Sequence, residues 1–266
     1  MSKKPSPSSS RSGHFWEIDA LRGVAIVMMV TFHFVYDLYA FGISNTLFED
    51  RFWHYFQRTT ASLFIGLVGV SLAVSYARTA QGYAERSQPV PSMGRKYLAR
   101  GGRLLGWGLL ISTVTYFALG PDAYIQFGIL HFIGASVILA APFLGGKILG
   151  NSWVILIGGA TLLLLGPIVT GGPVDFPWLL WLGFVPAGYQ AVDYFPLIPW
   201  FGLVLIGLFL GRVLYADNRR RLPLPDLSRL LPIKALQWLG QRSLPIYLLH
   251  QIILYALFVL FTGGLW

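Results

Sequence analysis

The 266 residues contain no cysteine. That removes disulfides, thiolate metal sites and any thiol nucleophile or acyl relay through sulfur. Charge is scarce too: Asp, Glu, Lys and Arg make up 12% of the chain and 55% is hydrophobic, where a soluble domain carries about a quarter charged residues. Mean hydropathy is +0.61. Such a composition excludes a disordered chain and argues against a soluble globule. There is no HExxH or other close histidine pair, so metal ligands would have to assemble from separate segments, and no metal site is expected. There is no GxSxG elbow to support a hydrolase triad, and no repeat of fixed period.

What is present is a series of apolar runs. Seven read as helices, at 21–39, 62–76, 104–119, 125–144, 153–169, 199–215 and 244–261, each long enough to cross most or all of a hydrocarbon core about 30 Å thick. The expected fold is an all-α polytopic membrane bundle of about seven transmembrane helices, with a re-entrant or interfacial element within 175–189. Residues 1–13 read as a disordered cytoplasmic tail and not a cleavable signal, and 14–266 as a single transmembrane domain. The basic excess, 20 Lys and Arg against 11 Asp and Glu, then acquires a direction. With the N-terminus in the cytoplasm, every Lys and Arg except Arg51 and Arg58 falls on the inner side, which predicts an N-in, C-out topology. No nucleic-acid partner is needed to explain the charge. The stretches 77–103 and 211–243 read as basic connectors.

Ionisable groups inside a bilayer are costly and are functional candidates by default. The first helix has the densest set. Arg22 and His33 are eleven residues apart, which is three turns plus about 20°, so the two side chains share a face about 16 Å apart along the axis. Asp19 precedes Arg22 by three and Asp37 follows His33 by four, giving a polar stripe along the helix. Asp19 and Arg22 could simply pair at the membrane surface. For His33 with Asp37 a functional reading is stronger, because a carboxylate one turn away can set the tautomer of a buried imidazole.

The other histidines carry less. His131 enters the fourth expected helix from the outer side, at a depth comparable with His33, where a packed histidine bonded to a carbonyl is the ordinary alternative. His250 falls about 9 Å from the inner start of the last expected helix, on the inner half and away from His33. His54 reads as a surface histidine of the outer loop. Glycines such as Gly66, Gly69, Gly202 and Gly207 fit close helix approach, and the tryptophans and tyrosines fit an interfacial belt.

The stretch Glu17-Ile18-Asp19-Ala20-Leu21-Arg22-Gly23-Val24-Ala25-Ile26, with His33 and Asp37 beyond it, resembles the first helix of the bacterial relatives of heparan-alpha-glucosaminide N-acetyltransferase, within the wider transmembrane acyltransferase superfamily. Arg22 and His33 fit its R-x10-H pattern. Residues 127–134, 193–202 and 239–251 agree as well, so the resemblance covers nearly the whole chain in order. It implies transfer of an acyl group, typically acetyl from cytoplasmic acetyl-CoA, to an amine or hydroxyl of a sugar or glycan at the outer face. On that resemblance Arg22, with Asp19, Arg103 and Arg242, belongs to the acyl-CoA site. His33 acts as general base or transient acyl carrier with Asp37 orienting its ring, and His131 joins the catalytic set. His54 is the competing candidate, because the lysosomal family member has its proposed catalytic histidine in the luminal segment after this helix. The implied location is a bacterial inner (plasma) membrane, with lipid and a glycan acceptor as partners and homo-oligomerisation left open. The chain is shorter than the lysosomal member, which leaves the acceptor open too.

Two other function classes compete. A small secondary transporter or proton-linked carrier would also place His33, Asp37, His131 and Asp193 at depth, but it predicts internal repeats and paired broken helices, and neither is clear. A non-catalytic partner subunit would not require the polar stripe.

Overall fold

A computed structural model describes residues 15–44, 51–90, 93–145 and 148–262; the expected tail at 1–13 lies outside these. The chain runs through α1 (Trp16–Ala40), α2 (Arg51–Ala84), α3 (Gly94–Leu119), α4 (Ile129–Leu139), α5 (Ala141–Gly145), α6 (Ser152–Val169), α7 (Leu197–Leu214), α8 (Leu231–Gln241) and α9 (Ser243–Thr262). Among the described residues there is no strand, and one isolated bridge joins Val174 to Pro186. Six of these helices are long and apolar enough to cross a membrane. Large apolar side chains such as Phe117, Leu164 and Phe261 point outward at 82%, 76% and 85% exposure, which is stable only against hydrocarbon. The chain is an integral membrane protein with an all-helical fold.

Three helices form the centre. α2 packs parallel to α7, with Gly66 against Gly207 and Val70 against Gly211, and α4 packs beside them, burying Ile65, Leu72, Phe132, Val137, Val204 and Leu208. Helices in lipid gain little from burying apolar surface against one another, so close backbone approach has to supply the contact. At Gly69 and Gly207 an added Cβ would overlap the backbone of the opposite helix, at Val204 and Gly66 respectively. α6 meets α7 in the same way at Gly159 and Gly202.

Several expected boundaries move. The stretch 77–103 is mostly helical: α2 continues to Ala84 and α3 starts at Gly94. At 34 residues α2 is about 51 Å long, so it extends beyond the bilayer core and carries its polar last turns out of it. The expected span at 125–144 is two shorter helices. The chain before Ile129 is held non-helical beside α3, where the Ser112 hydroxyl donates to the Ile125 carbonyl and the Ile125 N–H donates to Thr115 Oγ1. α4 therefore starts partway along α3, with His131 against Gly108 and Gly134 against Gly101. Within 175–189 the only helical piece is a single turn at Leu180–Leu182, inside a loop closed by the Val174 N–H bonded to the Val185 carbonyl at 3.0 Å.

The last crossing differs most. α8 lies in the expected connector 211–243 and leads into α9 with only Arg242 between them. Contacts with α1 rise together in residue number: Asp19 and Gly23 with Gly240, His33 with His250, Asp37 with Gln251, Phe41 with Phe258. The α8–α9 unit thus runs parallel to α1. At the crossing, a Cβ on Gly23 would collide with the Leu236 backbone and one on Gly240 with the Asp19 backbone. Because α8 forms the first part of this crossing, His250 sits level with His33, and not in the opposite half of the membrane as its distance from 244 suggests.

Candidate functional site

Two polar regions lie along α1. The first is at the end where α1 begins, the near end. There a cleft of about 350 Å³ is lined by Arg22, Ser71, Ser75, Arg78, Thr79 and Lys96. Arg22 is held in a forked geometry, donating to Asp19 Oδ1 at 2.9 Å and to Ser71 Oγ at 2.8 Å. Asp19 also accepts from Gln241 Nε2 at 3.2 Å. Asp19 therefore ties α1 to α8 and orients Arg22; a carboxylate would repel an anionic ligand. Lys96 Nζ reaches Thr79 Oγ1 at 2.8 Å, and Arg100 stands close enough to both Arg22 and Arg103 for their charges to interact. Such a concentration of cations and hydroxyls, with one carboxylate among the lining side chains, suits a phosphate-bearing ligand.

The second region lies about 16 Å further along α1. His33 Nδ1 is 2.9 Å from the Met29 carbonyl, and His250 Nδ1 is 2.7 Å from the Tyr247 carbonyl. A carbonyl only accepts, so both rings carry their proton on Nδ1, and in the neutral rings both Nε2 atoms present lone pairs. The rings meet edge to face, with centroids 4.7 Å apart. Beside them Gln251 Nε2 donates to Asp37 Oδ1 at 2.8 Å. The other ends of this set, His250 Nε2, Asp37 Oδ2 and Gln251 Oε1, are buried and have no hydrogen-bond partner among the described residues. Orphaned buried acceptors are costly, and these three are chemically suited to accept from a ligand rich in O–H or N–H donors.

A chain of contacts runs from His250 to the loop before α7. The Tyr247 hydroxyl donates to Asp193 Oδ2 at 3.4 Å, and the same oxygen accepts the Ile129 N–H at the start of α4 at 3.1 Å. Burial pushes the Asp193 carboxyl up to about 6.

The expected site residues are thus only partly brought together. Asp19 and Arg22 pair as expected, and His33 lies on the same stripe. Asp37 is not hydrogen bonded to His33; its partner is Gln251, because the side chain reaches across to α9 while Met29 takes the His33 Nδ1 proton. His131 is a packed residue: its Nδ1 accepts the Gly128 N–H at 3.3 Å and its Nε2 lies 3.3 Å from Ser112 Oγ. Both ring nitrogens are engaged, and no hydrogen bond or ring contact joins it to His33, His250 or Asp37. His54 is exposed in the first turn of α2, beside Tyr55, away from the cluster. Arg103 neighbours Arg100 near the cleft, but Arg242 stacks over the Trp238 ring at 4.5 Å and lines a separate groove. Lys96, Arg100 and Gln251 lie outside the residues that the sequence singles out, and His250 reaches the cluster because the crossing begins with α8, ahead of the expected start at 244.

The family described as heparan-alpha-glucosaminide N-acetyltransferase, catalytic, matches residues 14–252 of the chain. No curated protein and no solved structure matches it.

Proposed function

Since the chain belongs to the heparan-alpha-glucosaminide N-acetyltransferase family, whose members are membrane acetyltransferases, we propose that it moves an acetyl group from acetyl-CoA, bound at the near end, to a sugar or glycan entering from the far end. The near end faces the cytoplasm and the membrane is a bacterial plasma membrane. Arg22, Lys96 and Arg100 hold the phosphates of CoA, with Ser71 and Thr79 fixing the orientation of the cations. The pantetheine arm then follows α1 to bring the thioester to the imidazole cluster.

His33 Nε2 takes up the proton that the acceptor's hydroxyl or amine gives up. Asp37 and Gln251 supply the acceptor groups that hold the sugar's remaining O–H or N–H donors. One observation carries this reading: a phosphate-type cleft and a donor-hungry imidazole cluster lie on one helix at the separation a pantetheine arm must cover.

The test is CoA release by the purified protein in liposomes, given acetyl-CoA and a panel of amino sugars and glycan hydroxyls. His33→Ala is expected to lose at least 100-fold in turnover with CoA affinity kept, Arg22→Ala to lose at least tenfold in CoA affinity, and His54→Ala to keep activity. No CoA release from the wild type, or loss in His54→Ala with full activity in His33→Ala, overturns the assignment.

A further inference from the structure

The α9 imidazole has no role in the reading above, and its surroundings are not those of a packed histidine. His250 is 8% exposed, yet its Nε2 has no partner among the described residues. His131 shows how this fold satisfies a structural histidine, with both nitrogens engaged. An orphaned buried ring nitrogen is costly, and an apolar residue of similar size would avoid that cost. His250 is also held in place: Nδ1 is bonded to the Tyr247 carbonyl, and the Tyr247 side chain is tied through Asp193 to the start of α4. Its free nitrogen belongs to the same cluster as the orphaned oxygens of Asp37 and Gln251, and its ring meets that of His33 at 4.7 Å.

We propose that His250 is a second catalytic residue, forming with His33 a two-imidazole proton relay between the acceptor and the donor sulfur; this rests on the acyltransferase reading. His250 is next to Gln251, which bonds Asp37 on the acceptor side, whereas His33 precedes Asp37 by one turn of α1 and so lies nearer to Arg22 and the donor. The acceptor's O–H or N–H proton passes to His250 Nε2 as the acceptor's lone pair bonds to the thioester carbonyl carbon. The proton moves on to His33 Nε2. The C–S bond breaks with its electron pair staying on sulfur, and His33 delivers the proton to give the CoA thiol. Both rings finish neutral, and neither Nδ1–H bond to Met29 or Tyr247 is broken.

The experiment compares wild type, His250→Gln and His250→Ala in liposomes, measuring turnover, CoA affinity and thermal stability. Glutamine keeps much of the volume and an N–H donor for the Tyr247 carbonyl but has no basic nitrogen. Both variants are expected to bind CoA within twofold of wild type while turnover falls at least 100-fold. Added imidazole is expected to raise the turnover of His250→Ala at least tenfold, entering by the groove of about 370 Å³ that His250 lines with Val30, Leu249 and Ile253. It is not expected to restore His250→Gln, where the space stays filled. Turnover within threefold of wild type in His250→Gln, or no rescue of a CoA-binding His250→Ala, overturns the relay. Absence of CoA release from the wild type would instead remove the acyltransferase reading on which it rests.

Discussion

Asp193 shows how a single residue couples the site to the fold. It approaches from a loop, receives the Ile129 N–H at the start of α4 and the Tyr247 hydroxyl from α9, and so joins three parts of the chain that are far apart in sequence. Its carboxyl is raised to about 6 in the fold, from an ordinary 3.8, chiefly by burial. A raised acid binds more protons folded than unfolded between those two values, so stability falls as pH rises from about 4 to about 6 and stays lower above. The difference is of the order of 3 kcal/mol. Asn keeps an oxygen for both donors and carries no charge. Asp193→Asn is therefore expected to raise the melting temperature at pH 8 and leave it unchanged at pH 4, read by thermal unfolding in nanodiscs; a loss at pH 8 would mean that the charge itself holds the loop. At this scale, residues that share one helix were legible, because helical periodicity alone aligns Arg22 with His33. The partners of His33 and Asp37 were not legible, because His250 and Gln251 come from another helix whose register no local pattern sets.

At the scale of elements, the register of α1 against the α8–α9 unit decides whether that cluster exists. It is pinned where Gly23 and Gly240 let the two backbones touch and where Gln241 bonds Asp19. Backbone cannot step aside as a side chain can, so a methyl here must separate the helices. Gly240→Ala is expected to cost about 2 kcal/mol or more in stability and to lower turnover by moving His250 away from His33. Gly102 and Gly106 have open space where a Cβ would go. Alanine at either is expected to be neutral or to stabilise by up to about 1 kcal/mol. Thermal unfolding and CoA release on the same preparations separate Gly240→Ala from the alanine variants at Gly102 and Gly106, and a tolerated Gly240→Ala would refute the pinned crossing. The sequence marked these glycines as small-residue faces without saying which helices they join. α8 was illegible for a related reason: Lys234, Arg242 and Pro245 look like the punctuation of a connector, but Arg242 lies over Trp238 and the helix resumes after one residue.

For the whole molecule the decisive property is its charge asymmetry across the membrane. Arg22, Arg78, Lys96, Arg100 and Arg103 gather around the near-end cleft and its rim, and Arg212 caps the carbonyls of Phe143, Leu144 and Gly150. The far end among the described residues holds Arg51 and Arg58 at the opposite extremity of α2. The gathering of basic residues at one end is readable from the sequence once the apolar runs are located, since it depends on which loop a charge occupies and not on tertiary contacts. That no cysteine is present makes the orientation directly measurable. Ser87, just beyond α2, and Asp122, just beyond α3, are both exposed and lie at opposite ends of the bundle. In intact cells a membrane-impermeant maleimide is expected to label Asp122→Cys, and to label Ser87→Cys only after the membrane is permeabilised. The reverse pattern would turn the cationic cleft away from the cytoplasm, where acetyl-CoA is held, and with it the donor half of the proposed reaction would fail, whatever the imidazole pair does.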